Sequence, residues 1–112
     1  MTAMETRTVA VCEASRLIPG RGVAALLPDG RQVAIFLTVD GDCYGLSNID
    51  PFARAAVLSR GLVGESGGRP FVASPLLKQR FDLRTGVCLD DESVAIRTYP
   101  VRVVDGVVHV SP

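Results

Sequence analysis

Asp-Gly pairs punctuate this chain at Asp29-Gly30, Asp40-Gly41 and Asp105-Gly106, each between short runs of apolar and β-branched residues. Glycine supplies the positive φ that a tight turn between antiparallel strands requires, so each pair marks a hairpin. Val23–Leu27 and Gln32–Thr38 flank the first pair. Val39-Asp40-Gly41-Asp42 leads into Cys43–Ser47. Val101–Val104 and Val107–Val110 flank the third. Thr8–Cys12, Arg69–Ala73 and Ser93–Thr98 read as further strands, and Ile18-Pro19-Gly20-Arg21-Gly22 is a break. Strands at this spacing predict an all-β fold, an antiparallel sandwich or barrel.

The middle of the chain departs from that pattern. Ser47–Gly64 shows no strand alternation, Ala53–Leu58 is expected to form a short helical turn, and Glu65-Ser66-Gly67-Gly68 a flexible tip. Two long loops result, one around Ile49-Asp50-Pro51-Phe52 and one around Ser74-Pro75-Leu76-Leu77. Long loops on a rigid scaffold usually hold the function.

Totals bound the function classes. A length of 112 residues predicts one domain, 1–112, able to bury a core without metals or disulfides. Lys+Arg and Asp+Glu are 12 each, so no net field draws the chain to nucleic acid or an anionic membrane. The longest strongly apolar run, Val33–Leu37, is far too short to span a bilayer, and Met1–Ala14 holds no signal-peptide core. A cytoplasmic protein is expected. Cys12, Cys43 and Cys88 are far apart and form no Cys-x-x-Cys pair, so reduced, mostly buried thiols are expected rather than a zinc or redox motif.

The two loops resemble those of the Rieske fold, in which Cys-Pro-His and Cys-Pro-x-His ligate a [2Fe–2S] cluster before a Phe-Asp-x-x-Thr-Gly turn. This chain keeps the frame, with Asn48-Ile49-Asp50-Pro51-Phe52, then Ser74-Pro75-Leu76-Leu77, then Phe81-Asp82-Leu83-Arg84-Thr85-Gly86. The cysteine positions hold Asp50 and Ser74, and the histidine positions Phe52 and Leu77. Without thiolate or imidazole donors, a bound cluster is not expected. Three segments in order sharpen the resemblance: Leu-Ser-Asn-Ile-Asp-Pro-Phe, Val-Leu-Ser-Arg-Gly, and Ala-Ser-Pro-Leu-x-Lys-Gln-x-Phe. Together they resemble the small subunits of assimilatory NAD(P)H-dependent nitrite reductases.

That resemblance implies a large-subunit partner carrying FAD, an iron–sulfur cluster and sirohaem, where nitrite becomes ammonium. It implies no cofactor and no catalytic residue on this chain, and an accessory or assembly role. Phe52, Leu76 and Leu77 are candidates to fill the lost cluster's volume and clamp the tips. Phe52 and Leu77 are expected to face inward, and Leu76 to face a partner beside Lys78 and Arg80. Two other functions compete: a cluster-free binding module of another oxidoreductase, and a Rieske-type ferredoxin, which the missing ligands oppose.

Remaining candidates are weak. Gly64–Gly68 lacks the Gly-Lys-Ser/Thr ending of a phosphate loop. His109 sits in an alternating strand with no serine–acid partner and is expected at a surface or edge; Cys88 is expected as a packed thiol. Arg54, Arg60 and Arg69 are expected on a solvated face.

Overall fold

The computed structural model describes residues 8–112. Residues 1–7, on which part of the signal-peptide argument rests, lie outside the described residues. Strand β1 (Val9–Glu13) leads through a 3-10 turn (Ala14–Arg16) to the meander β2 (Gly22–Leu26), β3 (Gln32–Leu37) and β4 (Cys43–Ser47). Two short strands follow, β5 (Ile49–Asp50) and β6 (Ala55–Ala56), then a 3-10 turn over Leu58–Arg60. Next come β7 (Leu62–Ser66), β8 (Arg69–Ala73) and β9 (Arg80–Asp82), and the chain closes with β10 (Thr98–Tyr99), β11 (Val101–Val104) and β12 (Val107–Val110).

The sheets are antiparallel, in the orders β1-β12-β11, β10-β4-β3-β2, β5-β6 and β7-β8-β9. Strand β3 sits inside the four-stranded sheet, and its residues 33–36 are buried on both faces. Its Val33 and Ile35 join Leu27, Tyr99, Val108 and Val110 in one apolar cluster. Ala34 and Phe36 point the other way, into a second cluster with Leu46, Leu58, Val72, Phe81 and Cys88. Side chains alternate across a strand, so one apolar run serves two cores. The first cluster packs the β1-β12-β11 layer on this sheet, and the second packs β7-β8-β9 and the loops.

Hairpin chemistry sits where expected at Asp105-Gly106, whose φ values of 50° and 76° turn β11 into β12. Asp29-Gly30 and Asp40-Gly41 likewise lie between the paired strands β2 and β3 and β3 and β4, with Gly30 and Gly41 at φ 93° and 90°. In the middle of the chain and before β10 the structure departs from the expectation. Glu65–Gly68 is no loose tip: Leu62–Ser66 is a paired strand, and Gly67-Gly68 at φ 57° and 79° makes the two-residue turn to β8. The helical turn expected over Ala53–Leu58 is replaced by β6, paired to β5, and by the later 3-10 turn. Of the strand expected over Ser93–Thr98, only Thr98 pairs, with Tyr99, against β4, while Ala95 makes a lone bridge to Val87. Asp91 holds the rest in a turn, accepting from the Ser93 N–H at 3.1 Å and the Ser93 hydroxyl at 2.6 Å. His109, expected at a surface or edge, is half-buried on β12, the central strand of its sheet, with Nδ1 3.2 Å from the Thr8 hydroxyl. Of the thiols, Cys88 is buried, but Cys12 and Cys43 are only half-buried.

Gly61 shows how the middle segment locks to the scaffold. A methyl group there would collide with the Ala73 carbonyl and come within 2.6 Å of Val72 Cγ2. Gly61→Ala is expected to destabilise the domain by about 2 kcal/mol through overpacking against backbone. Urea unfolding of the two proteins measures it, and an unchanged midpoint would rule out the tight contact.

Candidate functional site

Asn48 anchors the first loop at its base. Its buried side chain donates from Nδ2 to Gln32 Oε1 at 3.0 Å and accepts the Ser59 N–H at Oδ1, 2.7 Å away. The Leu58 N–H reaches the Asn48 carbonyl at 3.0 Å. The Ser-Asn-Ile-Asp and Leu-Ser-Arg-Gly segments are therefore one hydrogen-bonded unit. Asn48 was not singled out from the sequence, although a lone amide between a strand and an Asp-Pro is a signal for such a role.

Beyond Asn48, both tips are built the same way. In the first, Asp50 Oδ1 accepts the Phe52 N–H at 2.8 Å, and the Asp50 carbonyl accepts the Arg54 N–H at 2.7 Å. In the second, Ser74 Oγ accepts the Leu76 N–H at 3.3 Å, and the Ser74 carbonyl accepts the Lys78 N–H at 3.1 Å. The fifth residue of each turn, Arg54 or Lys78, is left-handed, at φ 54° and 67°. Pro51 and Pro75 hold the second position, where their fixed φ favours the turn. The repeated pattern Asp-Pro-Phe-Ala-Arg and Ser-Pro-Leu-Leu-Lys is the sequence signal for this pairing.

A third turn of the same kind follows at Asp82. Its Oδ1 accepts from the Arg84 N–H at 2.7 Å and the Thr85 N–H at 3.1 Å, and its carbonyl accepts the Gly86 N–H at 2.8 Å. Here the left-handed fifth residue is a glycine, at φ 79°. Burial alone pushes the Asp82 carboxyl up, but hydrogen bonds from Arg84, Arg69 and Thr85 outweigh it and hold it below the ordinary value.

The tips meet through side chains. The Ser74 hydroxyl donates to Asp50 Oδ2, and both residues are buried. Phe52 is half-buried and packs against the second cluster, its ring 6.2 Å from that of Phe81. Leu77 does not face inward as expected: Leu76 and Leu77 are each 52% exposed. Both lie inside the closed five-residue turn, whose middle side chains project away from the scaffold. Neither leucine fills the space between the loops; the Asp50–Ser74 pair and Phe52 occupy that junction. Lys78 is exposed. Arg80 is committed to Asp90, donating from Nη2 to Oδ1 at 2.8 Å, and stacks 5.5 Å above Phe71. Burial also raises the Cys12 and Cys43 thiols, against Arg16 at Cys12 and reinforced by Asp42 and Cys12 at Cys43, so neither is an activated nucleophile.

The Rieske-like [2Fe-2S] domain family matches residues 7–111. The nitrite reductase (NADH) small subunit of Salmonella typhimurium is 50% identical over 99 residues, 88% of this chain and 91% of that protein. The chain belongs to the nitrite reductase small-subunit family. A crystal structure described as an NADH-dependent nitrite reductase small subunit of Mycobacterium tuberculosis superposes with a TM-score of 0.91 at 50% identity, covering 95% of each chain. The nitrite reductase [NAD(P)H] large subunit of Klebsiella oxytoca is 44% identical over 101 residues, 90% of this chain but 10% of that one. The all-β, Rieske-like fold of this small-subunit relative is thus established.

Its donor set does not fit the cluster of the wider domain family. That cluster takes thiolate and imidazole ligands. The four matching positions offer the carboxyl of Asp50, the ring of Phe52, the hydroxyl of Ser74 and the aliphatic chain of Leu77. The first and third are already bonded to each other. Among the described residues no three His, Cys, Asp or Glu side chains gather as a metal would require.

The cross-loop bond is testable by a double-mutant cycle. Asp50→Ala strands two part-buried N–H groups and the buried Ser74 hydroxyl, with an expected loss of about 2–3 kcal/mol. Ser74→Ala should cost about 1–2 kcal/mol by leaving Oδ2 unpaired. The double variant should lose less than the sum, by about 1 kcal/mol, in chemical unfolding; strict additivity would deny the bond. Asp82 generates a pH prediction. Its folded pKa lies below the unfolded one, so its contribution is full above the unfolded value and disappears as pH falls through the folded one. Wild-type stability should therefore drop steeply below about pH 4, the unfolded aspartate range. Asp82→Asn, measured by urea midpoints across that window, should show a shallower slope.

Proposed function

We propose that this chain is the cluster-free small subunit of a cytoplasmic NAD(P)H-dependent nitrite reductase that assimilates nitrite to ammonium. Its role is accessory: it docks on a large subunit and supports that subunit's assembly or activity. The observation that carries this reading is the Klebsiella relative. There a stretch 44% identical to this chain forms one-tenth of a polypeptide named as the large subunit. Covalent joining raises the effective concentration of one part for the other, which is useful only where the two associate. In the separate-chain case the same association must come from surface contacts. Flavin, iron–sulfur cluster and sirohaem, with the nitrite chemistry, belong in this reading to the large subunit. The residues here supply no step of it.

The donor set supports the cluster-free part. Phe52 and Leu77 have no atom to give iron, and the Asp50–Ser74 bond closes the junction between the loops. Three unbridged cysteines suit a reducing compartment.

The test is co-purification. Tagged chain expressed with the large subunit of the same organism should elute with it as a stable complex. The isolated chain should be colourless and hold no acid-labile sulfide. Iron–sulfur absorption with stoichiometric iron would restore the ferredoxin alternative. Recovery of an unrelated oxidoreductase in place of the large subunit would favour the general binding module.

A further inference from the structure

Arg54 and Lys78 occupy matching places in the two tip turns, and both are left-handed. In the third turn the same place is taken by Gly86. Glycine adopts that conformation freely, and aspartate, as at Asp105, tolerates it through its short polar side chain. Arginine and lysine have neither advantage. Such strain persists where a side chain is used for something other than the fold. Within this chain neither side chain is used: both residues are exposed, and among the described residues neither forms an ion pair.

The surface around these two cations is apolar. Pro51 and Pro75 are exposed at the tips, Leu76 and Leu77 project from the second, and Ile49 is half exposed beside the first. Next to Ile49 and Pro51 a cleft of about 370 Å³ runs toward Ile96 and Tyr99. Arg97 borders it, its guanidinium 4.9 Å above the Tyr99 ring and without an ion pair among the described residues. Asp29 pairs with Arg31 and Asp90 with Arg80, while the buried Asp50 accepts from the Ser74 hydroxyl. The tips and the adjoining cleft thus carry exposed apolar side chains beside Arg54, Lys78 and Arg97, none of them ion-paired among the described residues, which suits an interface with an apolar centre and a charged rim.

We infer that this tip is the docking face, that it closes on an apolar surface of the large subunit rimmed by carboxylates, and that Arg54 and Lys78 are held in strained turns to meet two of them. The inference rests on the large-subunit reading above and adds which face docks, to what chemistry, and why two turns carry cations where glycine fits better.

Two measurements on the same variant test it. Arg54→Gly/Lys78→Gly should melt at or above the wild-type temperature, because it relieves the strain. It should bind the large subunit of the same organism roughly tenfold or more weakly at low salt, the gap narrowing as salt screens the charges. Unchanged affinity overturns the inference while leaving the large-subunit reading intact. If the glycine variant melts below wild type, Arg54→Asn/Lys78→Asn, which keeps tolerance of positive φ, decides. Intact melting with weakened binding supports the inference; any other result overturns it. A wild-type chain that fails to bind the large subunit overturns both.

Discussion

Because β3 is buried on both faces, every other layer must be placed to cover it. Val33 and Ile35 need the β1-β12-β11 sheet on one side, and Ala34 and Phe36 need β7-β8-β9 and the loop bases on the other. The second requirement shapes the tips. Leu58, Val72 and Phe81 all join the cluster around Phe36, and each belongs to a segment next to a tip turn. Hydrophobic burial, with the Asn48 hydrogen bonds at the base of the first loop, thus fixes where the loops leave the scaffold, and polar chemistry shapes them beyond it.

That polar chemistry is economical. One turn design recurs at Asp50, Ser74 and Asp82, with a side-chain oxygen capping the third residue and a carbonyl capping the fifth. Asp50 and Asp82 each cap a second N–H, from Ala53 and Thr85. Ser74 has one oxygen and instead uses its proton to join the first tip to the second. The difference between carboxyl and hydroxyl at equivalent positions is therefore what links the loops. Two carboxyl groups there would repel when ionised, and two hydroxyls would leave both tip turns with a single side-chain cap.

Much of the scaffold was legible because its signals are local. Asp105-Gly106 states its turn in two residues, and β3 is apolar from Val33 on because both faces are covered there. The two loops were legible from the missing strand alternation, and their tip positions from the resemblance to the Rieske frame. Side-chain direction was not. Leu76 and Leu77 are adjacent apolar residues in a turn, where neither the helical nor the strand period applies, so nothing local says which faces in. The structure exposes both equally. Ser93–Thr98 misled for a related reason: its β-branched residues suit a strand, but the Asp91 cap fixes the backbone first. Left-handed Arg54 and Lys78 were hidden because residue type argues against that conformation. Only the parallel between the two pentapeptides points to it.

A metal bridging two loops holds them by several strong bonds at once, whereas a hydrogen bond between side chains contributes only on the order of 1 kcal/mol net. On that comparison the tips should be loose, yet the geometry shows why they need no strong cross-link. Each turn is closed internally by its own caps and restrained by a proline, so its shape does not depend on its neighbour. The Ser74–Asp50 bond then has only to set the relation between two preformed pieces, and Phe52 packing toward Phe81 assists it. A surface built from preformed pieces loses little entropy on association. The frame that elsewhere positions a redox centre here presents an apolar tip with two cations set in left-handed turns.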